Sequence, residues 1–237
     1  MAFKHGKDTK VFLDELEVSS YLNNADTTRT VDVAESTTFG KSNKTFIVGA
    51  KDGTVALTGF YDATVDSPLQ SSLGSATDKI VAIGIDGLDA NDHTTFGKGN
   101  ITNYGISSPV GDIVAFSVDY QADEGLFSGK VLENATYTAT ASGTARDNSS
   151  STTNGGGAFI IASSVSGSSP TLDAKITHSA DNSTYADLVT FTQLTSAGAE
   201  VKSVAKGTTV NRYLKAEFTV GGTTPSFSVI IGFGRNK

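Results

Sequence analysis

YLKAEFTVGGTTPSFSVIIGF, Tyr213 to Phe233, decides the fold class. Before its central turn, Leu214, Ala216, Phe218 and Val220 alternate with Tyr213, Lys215, Glu217 and Thr219. After Thr224-Pro225, Phe227, Val229, Ile231 and Phe233 fall on one face, with Ser226, Ser228 and Gly232 opposite. Successive side chains of a strand point to opposite faces, so this period of two marks half-buried strands, and the pair is expected to form a hairpin around Gly221-Gly222-Thr223-Thr224. The same alternation recurs at Val11–Val18, Thr28–Ser36, Thr54–Asp62, Lys79–Asp86, Gly99–Ser107, Asp112–Ala122, Ala135–Ala145, Thr171–His178 and Tyr185–Thr192. So many short strands call for sandwich or barrel packing. One segment differs: Ser67 as N-cap, Pro68 at the first helical position, Leu69 and Leu73 four apart and Gly74 at the end predict a short helix whose leucines cover a sheet.

A chain of 237 residues supports one large β domain or two of ordinary size, and two are expected. With no cysteine, disulfides and thiolate sites are excluded and stability must come from burial and strand pairing. The four prolines each follow a hydroxyl residue, at Ser67-Pro68, Ser108-Pro109, Ser169-Pro170 and Thr224-Pro225. Proline biases its predecessor toward extended geometry, so each pair marks the start of an element. GSSPTLDAKI (Gly167–Ile176) echoes GTTPSFSVII (Gly222–Ile231), read as reused hairpin chemistry. No apolar run approaches the roughly 18 residues that span a bilayer, and the start of the chain lacks the apolar core of a secretory signal, so synthesis and retention in a cytoplasm are expected.

Charge divides the chain. Met1–Ala135 carries 10 Lys and Arg against 19 Asp and Glu, a charge of −9, whereas the remainder carries 8 against 6. A boundary is therefore expected near Glu133, giving domains 1–134 and 135–237. RDNSSSTTNGGG (Arg146–Gly157) reads as a polar, flexible stretch, either near that boundary or as a long loop within the second domain.

Catalytic chemistry is hard to find. His5, His93 and His178 are scattered, without the i, i+4 spacing of a helical zinc site. Gly97-Lys98-Gly99 runs on into a strand rather than a helix and reads as a turn. The run Asp86-Gly87-Leu88-Asp89-Ala90-Asn91-Asp92 lacks EF-hand spacing and reads as turn chemistry. The sequence thus predicts no enzyme, no catalytic or metal-binding residues and no cofactor. A first half at −9 would repel DNA rather than grip it, which suits a channel through which DNA slides, because a cationic wall would hold phosphates at every step.

RTVDVAESTTFGKSNKTFIVGAKDGTVALTGFYD (Arg29–Asp62) resembles the major tail protein, or tail tube protein, of long-tailed, siphovirus-like bacteriophages, and SSPVGDIVAFSVDYQADEG (Ser107–Gly125) looks like that family's terminal strands. The resemblance implies a tail-tube-type β-sandwich or barrel with a flanking helix in residues 1–134. It also implies homo-oligomeric rings, commonly hexameric, stacked into a tube. Its implied partners are the tape measure, tail terminator and distal tail proteins, with double-stranded DNA passing through unbound, and its setting is the virion tail, assembled in the host bacterial cytoplasm. Ring closure would pair sheet edges that otherwise template aggregation. The family's ring-docking loop matches Phe39–Gly53, so Phe39, Lys41, Lys44, Phe46, Ile47 and Lys51 are the expected inter-ring contacts. The alternative is a loop folded onto its own domain, with Phe46 in the core.

LDAKITHSADNSTYADLVTFT (Leu172–Thr192) is similar to the distal domain carried by some tail tube proteins, implying a second, Ig-like or related β-sandwich on the outside of the tube. The competing functions are a carbohydrate-binding adhesin or fibre, or a head decoration protein, built from two β-sandwiches. An adhesin would want an exposed aromatic platform, and the chain has no tryptophan.

Overall fold

The computed structural model describes residues 5–236; Met1–Lys4, where the reading of a missing signal begins, and Lys237 lie outside the described residues. Thirteen strands follow one another along the described chain: β1 (Lys10–Leu13), β2 (Leu16–Glu17), β3 (Leu22–Glu35), β4 (Phe46–Phe60), β5 (Lys79–Gly84), β6 (His93–Ser107), β7 (Ala115–Tyr137), β8 (Ala141–Ser142), β9 (Arg146–Asp147), β10 (Gly156–Ser179), β11 (Ala186–Thr190), β12 (Gly198–Val204) and β13 (Tyr213–Arg235). One α-helix, α1 (Ala63–Ser72), lies between β4 and β5. The protein is mainly β with one short helix, as the alternation requires.

Two compact units divide the chain. The first gathers the residues up to Ser20, Ile80–Phe96 and the chain from Phe127 onward; the second gathers Tyr21–Lys79 and Gly97–Leu126. The expected division at 134/135 falls inside β7. Residues 135–237 share the first unit with β1 and β2, and Phe227 to Phe233 of β13 pair antiparallel with Tyr137 to Lys130 of β7. The charge shift therefore marks a change of surface rather than a break in strand pairing.

In the first unit the strand order is β11-β10-β13-β7-β6-β5-β1-β2, with β12 on β10 and both β8 and β9 on β13. Its spine is one long ribbon: β10 and β13 pair from Gly156 opposite Arg235 to Ser179 opposite Tyr213. Tyr213–Phe233 is thus a single strand and not a hairpin. The two echoed turn sequences lie across from each other in it, Ser168 opposite Thr223, where the register shifts. Gly167 and Gly222 have φ of 116° and 106°, and Ser169 and Thr224 both have φ of 48°. A Cβ on Gly167 would sit 2.8 Å from the Thr224 carbonyl oxygen, and one on Gly222 2.6 Å from that of Ser169. Each strand supplies its own glycine and hydroxyl-proline pair, so both bend at the same point and pairing resumes beyond it.

Burial on both faces explains the first half of β10. Ala158 and Ile160 join a core with Leu172, Ile176, Leu214, Phe218 and Phe227. Phe159 and Ile161 point the other way, into a core with Phe12, Phe96, Val131 and Ile230. A strand covered on both sides needs an unbroken apolar run, and Ala158–Ala162 provides one.

The polar stretch Arg146–Gly157 is pinned rather than free. Arg146 and Asp147 pair with Leu214 and Tyr213 as β9. Arg212 grips both carboxylate oxygens of Asp147, at 2.7 and 2.5 Å. Gly156 and Gly157 are already buried in β10.

The second unit holds β3, β4, the first half of β7 and the latter part of β6. β4 lies between β3 and β7, with Val55 opposite Tyr120 and Leu57 opposite Val118 on a buried face. Helix α1 begins five residues before its expected start. Asp62, not Ser67, is the cap, its side chain accepting from the Thr64 N–H at 2.8 Å. The buried stripe is Val65 and Leu69, while Leu73 is exposed beyond the helix. Pro68 sits within the helix, where its missing N–H costs the bond to the residue four back; the burial of Val65 and Leu69, roughly 1.5–3 kcal/mol each, and the acidic cap offset that loss.

Candidate assembly surfaces

β3 and β4 form a hairpin that outruns its unit. Along β4, burial alternates strictly from Gly53 to Gly59, but every residue from Phe46 to Lys51 is exposed. The same is true of β3 from Asp26 onward. Seven residues of strand, Phe46 to Asp52, carry the arm roughly 20 Å beyond the packed part. A two-stranded ribbon with both faces in water is marginally stable alone. This one is also apolar: Val33 lies opposite Val48, Ala34 opposite Ile47 and Glu35 opposite Phe46, with Phe46, Ile47 and Val48 at 55, 63 and 71% exposure. Phe39 is fully exposed at the tip, where Gly40 takes a φ of 84° and the Lys41 N–H donates to the Thr38 carbonyl at 3.3 Å. Lys44 pairs with Glu35 at 3.0 Å, and Lys51 lies opposite Val31 lower in the arm. The structure thus gathers Phe39, Lys41, Lys44, Phe46, Ile47 and Lys51 on one arm, and Phe46 is not a core residue.

Below the arm, the exposed face of the second unit is built in cross-strand rows. Asn24, Thr58 and Ser117 form one, Asp26, Ala56 and Asp119 the next, Thr28, Thr54 and Gln121 the third. Its carboxylates are held by amides: Asn24 donates to Asp26 at 2.8 Å, Asn103 to Asp119 at 2.9 Å and Gln121 to Asp52 at 2.6 Å. A neutral amide fixes a carboxylate without cancelling its charge, so the rows present oriented negative charge among hydroxyls and amides. Lys98 stands within 4 Å of three acids, Asp78, Asp123 and Glu124. The outer strand of these rows, β3, pairs with β4 alone among the described strands, leaving a 14-residue edge.

At the end of β4 away from the arm, a second group of large apolar side chains is exposed. Phe60 is opposite Ala115, and the Tyr61 N–H donates to the Val114 carbonyl at 2.9 Å. Phe60, Tyr61, Ile106, Val110 and Ile113 are all exposed, Val110 completely. Phe60–Asp78 and Gly99–Ser117 contain Asp62, Asp66, Asp78 and Asp112 but no Lys or Arg. The Tyr104 hydroxyl donates to Asp66 at 2.6 Å and Gln70 adds a donor at 3.0 Å, which together hold the Asp66 carboxyl below its usual range. Asp66 therefore holds its negative charge to lower pH than an ordinary aspartate.

Sequence reasoning found the arm through its family resemblance but not this second surface. Its signal was present in Ser107-Ser108-Pro109-Val110-Gly111-Asp112-Ile113, where two large aliphatic residues sit inside turn chemistry with no alternating partners. The carboxylates of the exposed face required the register, since one residue of slip would send them inward.

No family model and no curated protein matches the chain. Among solved structures it is similar to a chain of the virion of a native gene transfer agent particle, at 13% identity and a TM-score of 0.46, over 52% of this chain and 97% of that one. It is also similar to the SPP1 tail tube protein, at 11% identity and a TM-score of 0.45, over 55% of this chain and 81% of that one. SPP1 Dit (gp 19.1), from the hub adsorption apparatus of phages infecting Gram-positive bacteria, aligns over 97% of this chain and 99% of its own at 11% identity and a TM-score of 0.41.

Proposed function

We propose that this chain is a virion structural protein that closes into rings, commonly hexameric in the family it resembles, and stacks them into a phage tail tube, a conduit for DNA with an acidic lining. The observation that carries the reading is the composition of the second unit: a free edge on β3, a face of amide-held carboxylates, and an arm too apolar to stand in water alone. In this reading the β3 edge joins the sheet of a neighbouring subunit, which removes its unpaired N–H and C=O groups, and an isologous dimer is disfavoured because the edges joined are different. Asp26, Asp52 and Asp119 face the lumen, and the arm with Phe39, Lys41, Lys44, Phe46, Ile47 and Lys51 reaches the next ring. The tape measure, tail terminator and distal tail proteins are the further partners, and DNA passes without being held.

Negative-stain microscopy of the purified full chain tests it. Stacked rings or tubes with a central hole are the expected result; monodisperse monomers that bind glycans would turn the reading toward an adhesin. Replacing residues 32–50 by an Asn-Gly turn shortens the arm without touching a buried side chain. That variant is expected to keep its strand content by circular dichroism and its rings, and to lose lengthwise growth.

A further inference from the structure

The second unit carries exposed apolar surface at both ends of one strand. Phe46 and Phe60 bound β4, and 15 residues of strand separate those ends by roughly 45 Å. One end is the arm, whose tip from Ser36 to Thr45 contains Lys41 and Lys44 and no acid, Lys44 reaching back to Glu35 at 3.0 Å and Lys41 remaining as the basic group of the tip. The other is the surface of Phe60, Tyr61, Val110 and Ile113, edged by Asp62, Asp66 and Asp112. We infer that this surface is the seat for the arm of a second copy of the chain. The inference rests on the tail-tube reading and supplies the half of the inter-ring contact which that reading leaves unassigned.

Three features select a second copy as the occupant. The charges are opposite, a basic tip against an acidic rim, so encounter is steered and the reverse pairing of tip with tip or rim with rim is repelled. Both sets of residues combine large exposed apolar side chains with charge, as a specific contact does. The donor and acceptor also lie at opposite ends of one strand, so joining them is a head-to-tail contact related by translation along the strand. Such a contact does not close on itself and propagates without limit.

Two variants, each spoiling one end, test the seat. Val110→Asp with Ile113→Asp alters the seat, and Phe39→Asp with Phe46→Asp alters the arm; all four side chains are exposed, so the fold is spared. Each protein alone is expected to form rings that do not stack. Mixed in equal amounts, they are expected to form stacks of two rings and no longer, because only one arm–seat combination remains intact. Full-length tubes from the seat variant, or a mixture that stays as single rings, would overturn the seat and assign this surface to a different tail component, while leaving the arm reading in place. Full-length tubes from the arm variant would overturn the arm reading itself. Charge exchange gives an independent check: Lys41→Asp shortens tubes, and adding Asp112→Lys in the same chain restores their length if the two meet, whereas no restoration counts against the seat.

Discussion

Asp147 shows how a single side chain turns a polar stretch into structure. Hydrogen bonds from Arg212, then from the Ser149 N–H, pull its pKa from 3.8 to about 2. Asp181 reaches about 2 from the same starting value by accepting the N–H groups of Thr184 and Ser183 and the Ser179 hydroxyl. Both folded-state values lie below the unfolded one. Each group therefore contributes stability that is fully present above pH 3.8 and is lost as the pH falls toward about 2. Asp147→Asn should lower the melting temperature at neutral pH and flatten its fall between about pH 4 and about pH 2 relative to the unaltered protein. Thermal melts followed by circular dichroism across that window measure it; an unchanged acid limb would show that the Arg212 pair does not matter to folding.

The paired bend in the β10–β13 ribbon belongs to the scale of elements, and it makes a distinct prediction. Gly167 and Gly222 adopt positive φ, and each closely faces a carbonyl of the opposite strand, so Gly222→Val should cost about 1–3 kcal/mol through backbone strain and crowding. A denaturant midpoint shift checks this, and the loss should greatly exceed that from Gly207→Val, where a Cβ would meet nothing within 4 Å although φ is also positive. The bend also explains what the sequence shows and hides. Alternation on either side of Pro225 was visible, but a strand that bends and continues leaves the same local trace as one that turns back; only the partner across from it, carrying the same Gly-hydroxyl-Pro motif, tells them apart. Ala158–Ala162 was missed as a strand because burial on both faces removes alternation, and β12 because its half-exposed residues give little contrast. The arm was reached through its resemblance to a ring-docking loop, since its residues alone left open a loop folded onto its own domain with Phe46 in the core. Its seat was not, because turn residues and docking residues look alike until the ends of three strands are brought together.

At the scale of the whole molecule, charge and strand pairing divide the chain differently. The stretch to Ala135 carries all of the excess acid, yet strand pairing places part of that stretch in the same unit as the C-terminal half. In the second unit part of the excess is displayed on cross-strand rows where Asp26 and Asp119 flank Ala56. In the proposed tube a carboxylate acts over about 8 Å at physiological salt, so a lining built from these rows would repel DNA only at close approach and would not slow a duplex moving along the axis. Reversing the sign should reverse the behaviour. Asp26→Lys with Asp119→Lys replaces two negative charges by two positive ones in every subunit, and each phosphate then neutralised releases counterions with a slope of about −0.9 in log affinity against log salt. Tubes of the unaltered protein should leave short double-stranded DNA unbound in sedimentation at moderate salt, whereas tubes of the variant should carry it into the pellet and release it steeply as salt rises. Equal retention by both, or retention by the variant that ignores salt, would place these carboxylates away from the conduit; normal tube length in the same preparation separates that outcome from any failure of assembly.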